Sequence, residues 1–121
     1  PLTRNIADMS GQEIVRRYFK LIDSKDLDGL VDMFDDDAVV KEPFSKMAEL
    51  RGHSDIAAFL KVAFMENSDM RRKLDIKAND RTGKARVLVK FEKGDSLTGQ
   101  FTFDINPETK KIRVLRIEFL A

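Results

Sequence analysis

RRYFKLIDSKDLDGLVDMFDDDAVVKEP, residues 16–43, is the most informative stretch for the fold because its hydrophobic periodicity changes within a short distance. Apolar residues recur at helical spacing, stop at the polar segment DSKD, and resume at helical spacing up to Phe34. This pattern predicts two helices joined by a tight polar turn, with Asp26 as the N-cap of the second helix. The acidic run 35–37 is interpreted as a solvated turn, and the following AVVKEP predicts a short strand stopped by Pro43.

The first and third helices have recognisable starts. Ser10 and Glu13 match the S-x-x-E capping box, in which each side chain satisfies a free backbone N–H of the other residue. Further along, Gly52 precedes the segment HSDIAAFLKVAFMEN, whose apolar residues again follow the helical period. A third helix is therefore expected, with His53 or Ser54 at its start.

After residue 69 the hydrophobic period changes from 3.6 to two residues. Four segments alternate apolar and polar side chains and are separated by turn sequences: KLDIKAND (73–80), KARVLVKFE (84–92), LTGQFTFDI (97–105) and IRVLRIEFL (112–120). They predict an antiparallel meander whose apolar face needs a cover. The fold class is thus α+β, with three N-terminal helices packed on a curved antiparallel sheet that forms a cone with a mouth.

Length and charge restrict the class of protein. A chain of 121 residues fits one domain, expected at 10–121 after a flexible tail at 1–9. The 22 basic and 21 acidic residues nearly balance, which argues against a nucleic-acid partner. The cluster Arg71-Arg72-Lys73 is interpreted as a solvated edge.

Other compositional features exclude several kinds of site. The chain has no cysteine and one histidine, so thiolate chemistry and a histidine-based metal site are not expected. The apolar runs are too short to span a membrane, and the first residues lack the apolar region of a secretory signal. We expect no membrane partner, no metal, and a cytoplasmic location.

The order of elements, together with the pattern Y-x-x-x-[apolar]-x-x-x-D-L-D-G-[apolar]-x-x-[apolar]-F and the later RGHSDIAAFL, resembles a known group. It is similar to the nuclear transport factor 2-like superfamily, in its SnoaL-like or ketosteroid isomerase-like branch, over roughly residues 10–120. The resemblance implies a cystatin-like cone, a homodimer formed through the outer sheet face, and a pocket for a hydrophobic small molecule. It also implies isomerase or cyclase chemistry on a hydrophobic carbonyl compound without a cofactor.

The same resemblance assigns candidate catalytic residues. Tyr18 matches the tyrosine that donates a hydrogen bond to the substrate oxygen, and Glu42 matches the aspartate that moves the proton. Gly99 stands where the isomerases have a protonated aspartic acid as a second oxyanion donor. In ketosteroid isomerase an apolar site keeps that acid neutral, and this chain has no carboxyl group at the matching position.

Each candidate also has a structural interpretation. Tyr18 fits an ordinary core tyrosine, and Glu42 fits a surface glutamate at a strand end. Gly99 fits a bend in the strand, a space left for ligand, or both. The candidates for the ligand pocket are also expected to form core, and the two roles do not exclude each other: Phe34, Phe44, Phe59, Phe64, Gly99, Phe101, Phe103, Leu115 and Phe119. The alternative to an enzyme is a non-catalytic ligand-binding or dimerisation module of the same fold.

Overall fold

The computed structural model describes residues 9–43, 49–66, 71–92 and 97–120. The tail expected at 1–9, apart from Met9, and the candidate Phe44 lie outside these residues. The elements are, in chain order, α1 (Gly11–Ser24), α2 (Leu27–Asp32), β1 (Phe34–Lys41), β2 (Leu50–Arg51), α3 (Gly52–Glu66), β3 (Arg71–Asn79), β4 (Lys84–Glu92), β5 (Leu97–Ile105) and β6 (Ile112–Leu120).

The helical hairpin forms as its capping residues predict. The Ser10 hydroxyl accepts a hydrogen bond from the Glu13 backbone N–H at 3.2 Å, and the Glu13 carboxylate accepts one from the Ser10 N–H at 3.3 Å. The Asp26 carboxylate accepts from the Gly29 N–H at 2.9 Å and so caps α2. These side chains accept hydrogen bonds from backbone N–H groups that a helix start leaves unpaired. The predicted starts of α1 and α2 are confirmed.

The six strands form one curved mixed sheet in the order β2-β1-β6-β5-β4-β3. The predicted meander from β3 to β6 is antiparallel throughout. Strand β1 instead lies parallel to β6, with Val40 opposite Leu115 and Lys41 opposite Arg116. The direction of a pairing depends on the path of the whole chain, and the hydrophobic period within β1 carries no information about it.

Strand β1 begins earlier than predicted. It includes the aspartates at 35–37, which were expected in a turn, and its register against β6 shifts between Phe34 and Val39. The shift allows the polar run to stay on the strand with Asp36 and Asp37 exposed. Within the described residues, no group of three or more histidine, cysteine, aspartate or glutamate side chains is arranged to hold a metal ion.

The register defines two ends of the sheet. The turn end contains the loops after β3 and after β5, and the mouth end contains the last residue of β1, Lys41, and the first residue of β3, Arg71. Helix α1 runs from the first end to the second. Its first N–H, on Gly11, donates to Asp80 at 2.6 Å at the turn end, and its Asp23 pairs with Arg72 at the mouth end.

The core lies between the concave face of the sheet and the helices. Its side chains come from α1, the hairpin, β1, α3 and the alternating inward positions of β4 to β6. His53, the second residue of α3, ties this helix to β1, since its Nε2 lies 2.8 Å from the Phe34 carbonyl oxygen. In the described part of the chain, no helix is long and apolar enough to cross a membrane.

Candidate functional site

Tyr18 lies on the buried face of α1, under the concave face of the sheet. Its side chain is 2% exposed. Its ring makes edge-to-face contacts with Phe19, Phe103 and Phe34, with ring centroids 5.0, 5.3 and 6.4 Å away. This geometry is the favourable one for aromatic pairs, because the positive edge of one ring meets the negative face of the next.

The hydroxyl of Tyr18 has a different environment from its ring. Within the described ranges no hydrogen bond joins it to a protein group, and no fully buried side-chain oxygen there lacks a partner, so the hydroxyl keeps some contact with solvent. Burial raises the pKa of Tyr18 above its usual range, while the positive charge of Arg72 acts in the opposite direction. The phenol is therefore neutral and retains its proton to donate.

Glu42 follows directly after the last residue of β1 and is half-buried. Val40 is fully buried, and the alternation along the strand continues that face to Glu42. Val40 pairs with Leu115, which pairs with Phe103, the residue against which Tyr18 packs. Glu42 is the next inward position after Val40. It lies roughly 7 Å farther along the strand, nearer the mouth end than Val40, Leu115 and Phe103. That it acts together with Tyr18 stays a prediction.

The space over Gly99 is filled by aromatic side chains. Gly99 pairs with Val89 and with Phe119. A Cβ atom at this position would lie 3.3 Å from the rings of Phe91 and Phe101 and 3.6 Å from that of Phe119. The absence of a side chain at residue 99 therefore accommodates three rings, which is a packing role for this glycine.

The other predicted pocket residues are distributed between the core and its border. Those in the core are Phe34, Phe101, Phe103 and Leu115. Those partly buried against it are Phe59, Phe64 and Phe119. Phe91, which was not among the predicted pocket residues, belongs to the same aromatic group beside Gly99. The period-two alternation of β4 indicates that it faces the core.

Arg72 corrects the interpretation of residues 71–73 as a solvated edge. Its side chain is 6% exposed, whereas Arg71 and Lys73 are exposed. In β3 it alternates with Leu74 and Ile76, which pack against the core, so it lies on the concave face. The alternation along β3 is consistent with this inward orientation. The run of three basic residues was interpreted as exposed because basic side chains usually face solvent.

The turn end has a depression, but it does not resemble a ligand pocket. Its volume is about 10 Å³, room for at most one water molecule. The lining residues are Gly11, Ile14, Asn79, Asp80, Gly83, Ile105, Pro107 and Lys110, none of which is a candidate site residue. The candidate site consists instead of Tyr18 and Glu42, which the resemblance assigns to chemistry, and of Arg72, whose burial is unusual for a basic side chain.

Comparisons with known proteins agree with this architecture. Residues 15–118 match the family model of the SnoaL-like domain. Among solved structures, the chain is similar to the epoxide hydrolase/cyclase-like enzyme SalBIII, described in pyran ring formation in the polyether salinomycin, with 19% identity, TM-score 0.75, and coverage of 92% of this chain and 91% of that chain. A protein of unknown function with cystatin-like fold from Methylobium petroleophilum shows 19% identity and TM-score 0.74 over 100% of this chain and 80% of that one.

A third structure is an NTF2-like (nuclear transport factor 2-like) protein of unknown function from Cytophaga hutchinsonii. It shows 8% identity and TM-score 0.69, covering 93% of this chain and 92% of that one. At these identities the three structures establish the cystatin-like, nuclear transport factor 2-like fold.

Proposed function

The chain belongs to the SnoaL-like domain family, and we propose that it is a proton-transfer isomerase acting on a hydrophobic carbonyl compound. Tyr18 carries the proposal. It is the only tyrosine of the chain, its ring is buried among phenylalanines, and its hydroxyl has no hydrogen bond among the described residues. A neutral phenol in an apolar setting is a strong donor to an oxygen that acquires negative charge.

Glu42 is the proposed base. Its carboxylate removes a proton from the carbon next to the carbonyl group, and the electrons of that C–H bond form an enolate. The Tyr18 hydroxyl donates a hydrogen bond to the enolate oxygen. Glu42, now a carboxylic acid, returns the proton to another carbon of the conjugated system, which regenerates the base. The proton is conserved, so this reaction requires neither a metal nor a cofactor.

A non-catalytic ligand-binding module is the second candidate, and Gly99 favours it. This position has no carboxyl group to act as a second oxyanion donor, and three phenylalanine rings fill the space above it. Such a module uses the Tyr18 hydroxyl to orient an apolar ligand and does no chemistry. The epoxide hydrolase/cyclase-like description of a structure with the same fold supports a small-molecule pocket under either proposal.

The experiment that separates the two candidates measures the conversion of a β,γ-unsaturated ketone into its conjugated isomer by ultraviolet absorbance. For the isomerase, Tyr18→Phe lowers kcat/KM by about 100- to 1,000-fold, the usual cost of one oxyanion donor. Glu42→Gln lowers it by about 100- to 10,000-fold, the usual contribution of a general base. Tyr18-dependent binding of a phenol without turnover supports the binding module instead.

The matched control is Glu49→Gln. Glu49 is also at the mouth end, where its carboxylate pairs with Lys41 at 3.5 Å and Arg51 at 2.6 Å. Its loss removes a negative charge there without removing the proposed base, so activity is expected to change little. If the Glu42 and Glu49 variants lose activity equally, Glu42 is not the base.

The proposal includes a homodimer through the convex face of the sheet. Cross-strand pairing aligns a mostly basic row, consisting of Lys41, Arg116, Thr102, Arg86 and Lys77. The adjacent row, called the acidic row for the two acidic residues at its ends, consists of Glu118, Gln100, Leu88 and Asp75. Like charges opposite each other across strands are unfavourable, which suggests that the basic row has a partner surface.

A two-fold axis can lie in the interface, between the two rows and parallel to them. It brings the basic row of each subunit opposite the acidic row of the other. It places Arg116 against Glu118 of the partner subunit and Lys77 against Asp75 of the partner subunit. Such an isologous arrangement repeats each contact twice. Leu88 and its counterpart then lie near the centre, where a partly apolar contact is common in interfaces.

A further inference from the structure

The side chain of Arg72 is buried on the concave face of the sheet, where the other inward residues of β3 are apolar. Its neighbours along that face, Leu74 and Ile76, pack against the core, and its cross-strand partner is Phe91. Removing a guanidinium group from water is unfavourable unless its N–H groups find acceptors. Among the described residues no fully buried side-chain nitrogen or oxygen lacks a hydrogen-bond partner, so the N–H groups of Arg72 that the protein does not pair are accessible to water or to a ligand.

The protein pairs only one edge of this guanidinium. The Nη2 group donates to a carboxylate oxygen of Asp23 and to the Phe19 carbonyl oxygen, the latter at 3.4 Å. An arginine side chain has five N–H donors. In the part of the chain that the structure describes, Nε and Nη1 have no hydrogen-bond acceptor. Because Asp23 is 64% exposed, water screens its charge and the pair compensates Arg72 only in part.

Arg72 and the proposed oxyanion donor have a common aromatic neighbour, Phe19. The Cζ atom of Arg72 lies over the Phe19 ring, 5.3 Å from its centroid, and another neighbour of that ring is Tyr18, with ring centroids 5.0 Å apart. The positive charge of Arg72 acts on the Tyr18 hydroxyl, where it favours negative charge. A phenol and a guanidinium group thus both contact one phenylalanine, and both have unused donors.

We infer that Arg72 determines the ligand class of the site, by binding the carboxylate of an apolar, aromatic-sized ligand whose other oxygen is held by Tyr18. This inference rests on the proposed function, because it uses the same hydroxyl. The planar fork of arginine matches the two oxygens of a carboxylate, and charge-assisted bonds of this kind are about twice as strong as neutral ones. The ring system of the ligand contacts the phenylalanines beside Tyr18.

The test compares two planar probes that differ by one carboxylate, 2-naphthol and 6-hydroxy-2-naphthoate, by calorimetric titration of the full chain. We expect the carboxylate probe to bind about tenfold tighter or better. Arg72→Met is expected to abolish this preference with little change in 2-naphthol affinity. Arg72→Lys, which keeps the charge and the buried stem but not the fork, is expected to retain part of the preference.

Two further variants separate recognition from a structural role. Arg71→Met removes the neighbouring, exposed arginine and is expected to leave the preference unchanged. Asp23→Asn removes the competing carboxylate, so the affinity for 6-hydroxy-2-naphthoate is expected to rise by about threefold or more. An arginine that only fastens α1 to β3 would give no such increase.

The outcomes distinguish this inference from the proposed function. If wild type shows no preference for the carboxylate, or if the Met and Lys variants of Arg72 both keep it, the inference is wrong. Binding of 2-naphthol that depends on Tyr18 would still support the proposed function in that case. A carboxylate preference that depends on Arg72 but not on Tyr18 would support the anion site at Arg72 and contradict the role of Tyr18.

Discussion

The rings of Tyr18 and Phe103 meet edge to face, with 5.3 Å between their centroids, while the Tyr18 hydroxyl makes no hydrogen bond within the described residues. The two parts of this side chain therefore have different roles. The ring contributes to the core between α1 and β5, whereas the hydroxyl makes no hydrogen bond to the described residues. We therefore expect stability and the proposed function to be separable at this residue.

The first prediction concerns Tyr18→Phe. Since it removes a hydroxyl that makes no hydrogen bond to the described residues and keeps the ring, we expect the free energy of unfolding to stay within about 0.5 kcal/mol of wild type. Urea unfolding followed by circular dichroism measures this. The matched comparison is Phe103→Ala, which removes the facing ring and should cost about 3–5 kcal/mol. A loss above about 1 kcal/mol in Tyr18→Phe would contradict the separation of roles.

The second prediction uses the fact that the chain has one tyrosine and no tryptophan, so its near-ultraviolet absorbance change in alkali reports Tyr18 alone. Burial raises the pKa of Tyr18 in the folded protein above the ordinary value of 10.0. The folded state therefore prefers the protonated phenol. Its contribution to stability is complete below pH 10.0 and is lost as the pH rises above that value.

A spectrophotometric titration checks this sign. In the native protein the phenolate signal should appear only together with alkaline unfolding, while the urea-unfolded chain should titrate near its ordinary value. Tyr18→Phe should remove that component of the alkaline destabilisation. A reversible phenolate signal near the ordinary pKa in the folded protein would show that water reaches the hydroxyl freely.

The third prediction concerns Gly99→Ala. Its added methyl group would lie 3.3 Å from the Phe91 and Phe101 rings, so the rings must move. We expect a loss of about 1–3 kcal/mol in the free energy of unfolding, measured by chemical denaturation. Gly99→Asp should cost more, because it adds a carboxyl group to the same aromatic environment. If Gly99→Ala is neutral, the three rings are mobile enough to open a space there.

The fourth prediction tests the proposed dimer by charge exchange. Arg116→Glu or Glu118→Arg alone would place like charges together at both symmetry-related contacts and should shift the protein toward monomer. The double exchange restores opposite charges and should restore the dimer. Sedimentation velocity at low ionic strength measures the distribution, because salt weakens surface charge pairs. A wild-type protein that is monomeric at all concentrations would refute the dimer directly.

The local features of the chain were predictable because their causes are local. The capping box of Ser10 and Glu13 and the cap at Asp26 lie within one helical turn of the donors they satisfy. The four alternating segments determine which residues of the meander face the core, since the side-chain period of a strand is two. The placement of Tyr18 on the buried face of α1 follows from its spacing along that helix.

The amino-acid sequence alone thus specifies the three helices and the four strands of the meander, their buried faces, and the two residues, Tyr18 and Glu42, that the resemblance assigns to chemistry. Three features became visible only in the folded chain: the parallel pairing of β1 with β6, the burial of Arg72 against Phe19, and the filling of the space over Gly99 by rings from β4, β5 and β6. These depend on which side chains from distant segments come within contact of one another, and a single segment's periodicity does not encode its partners.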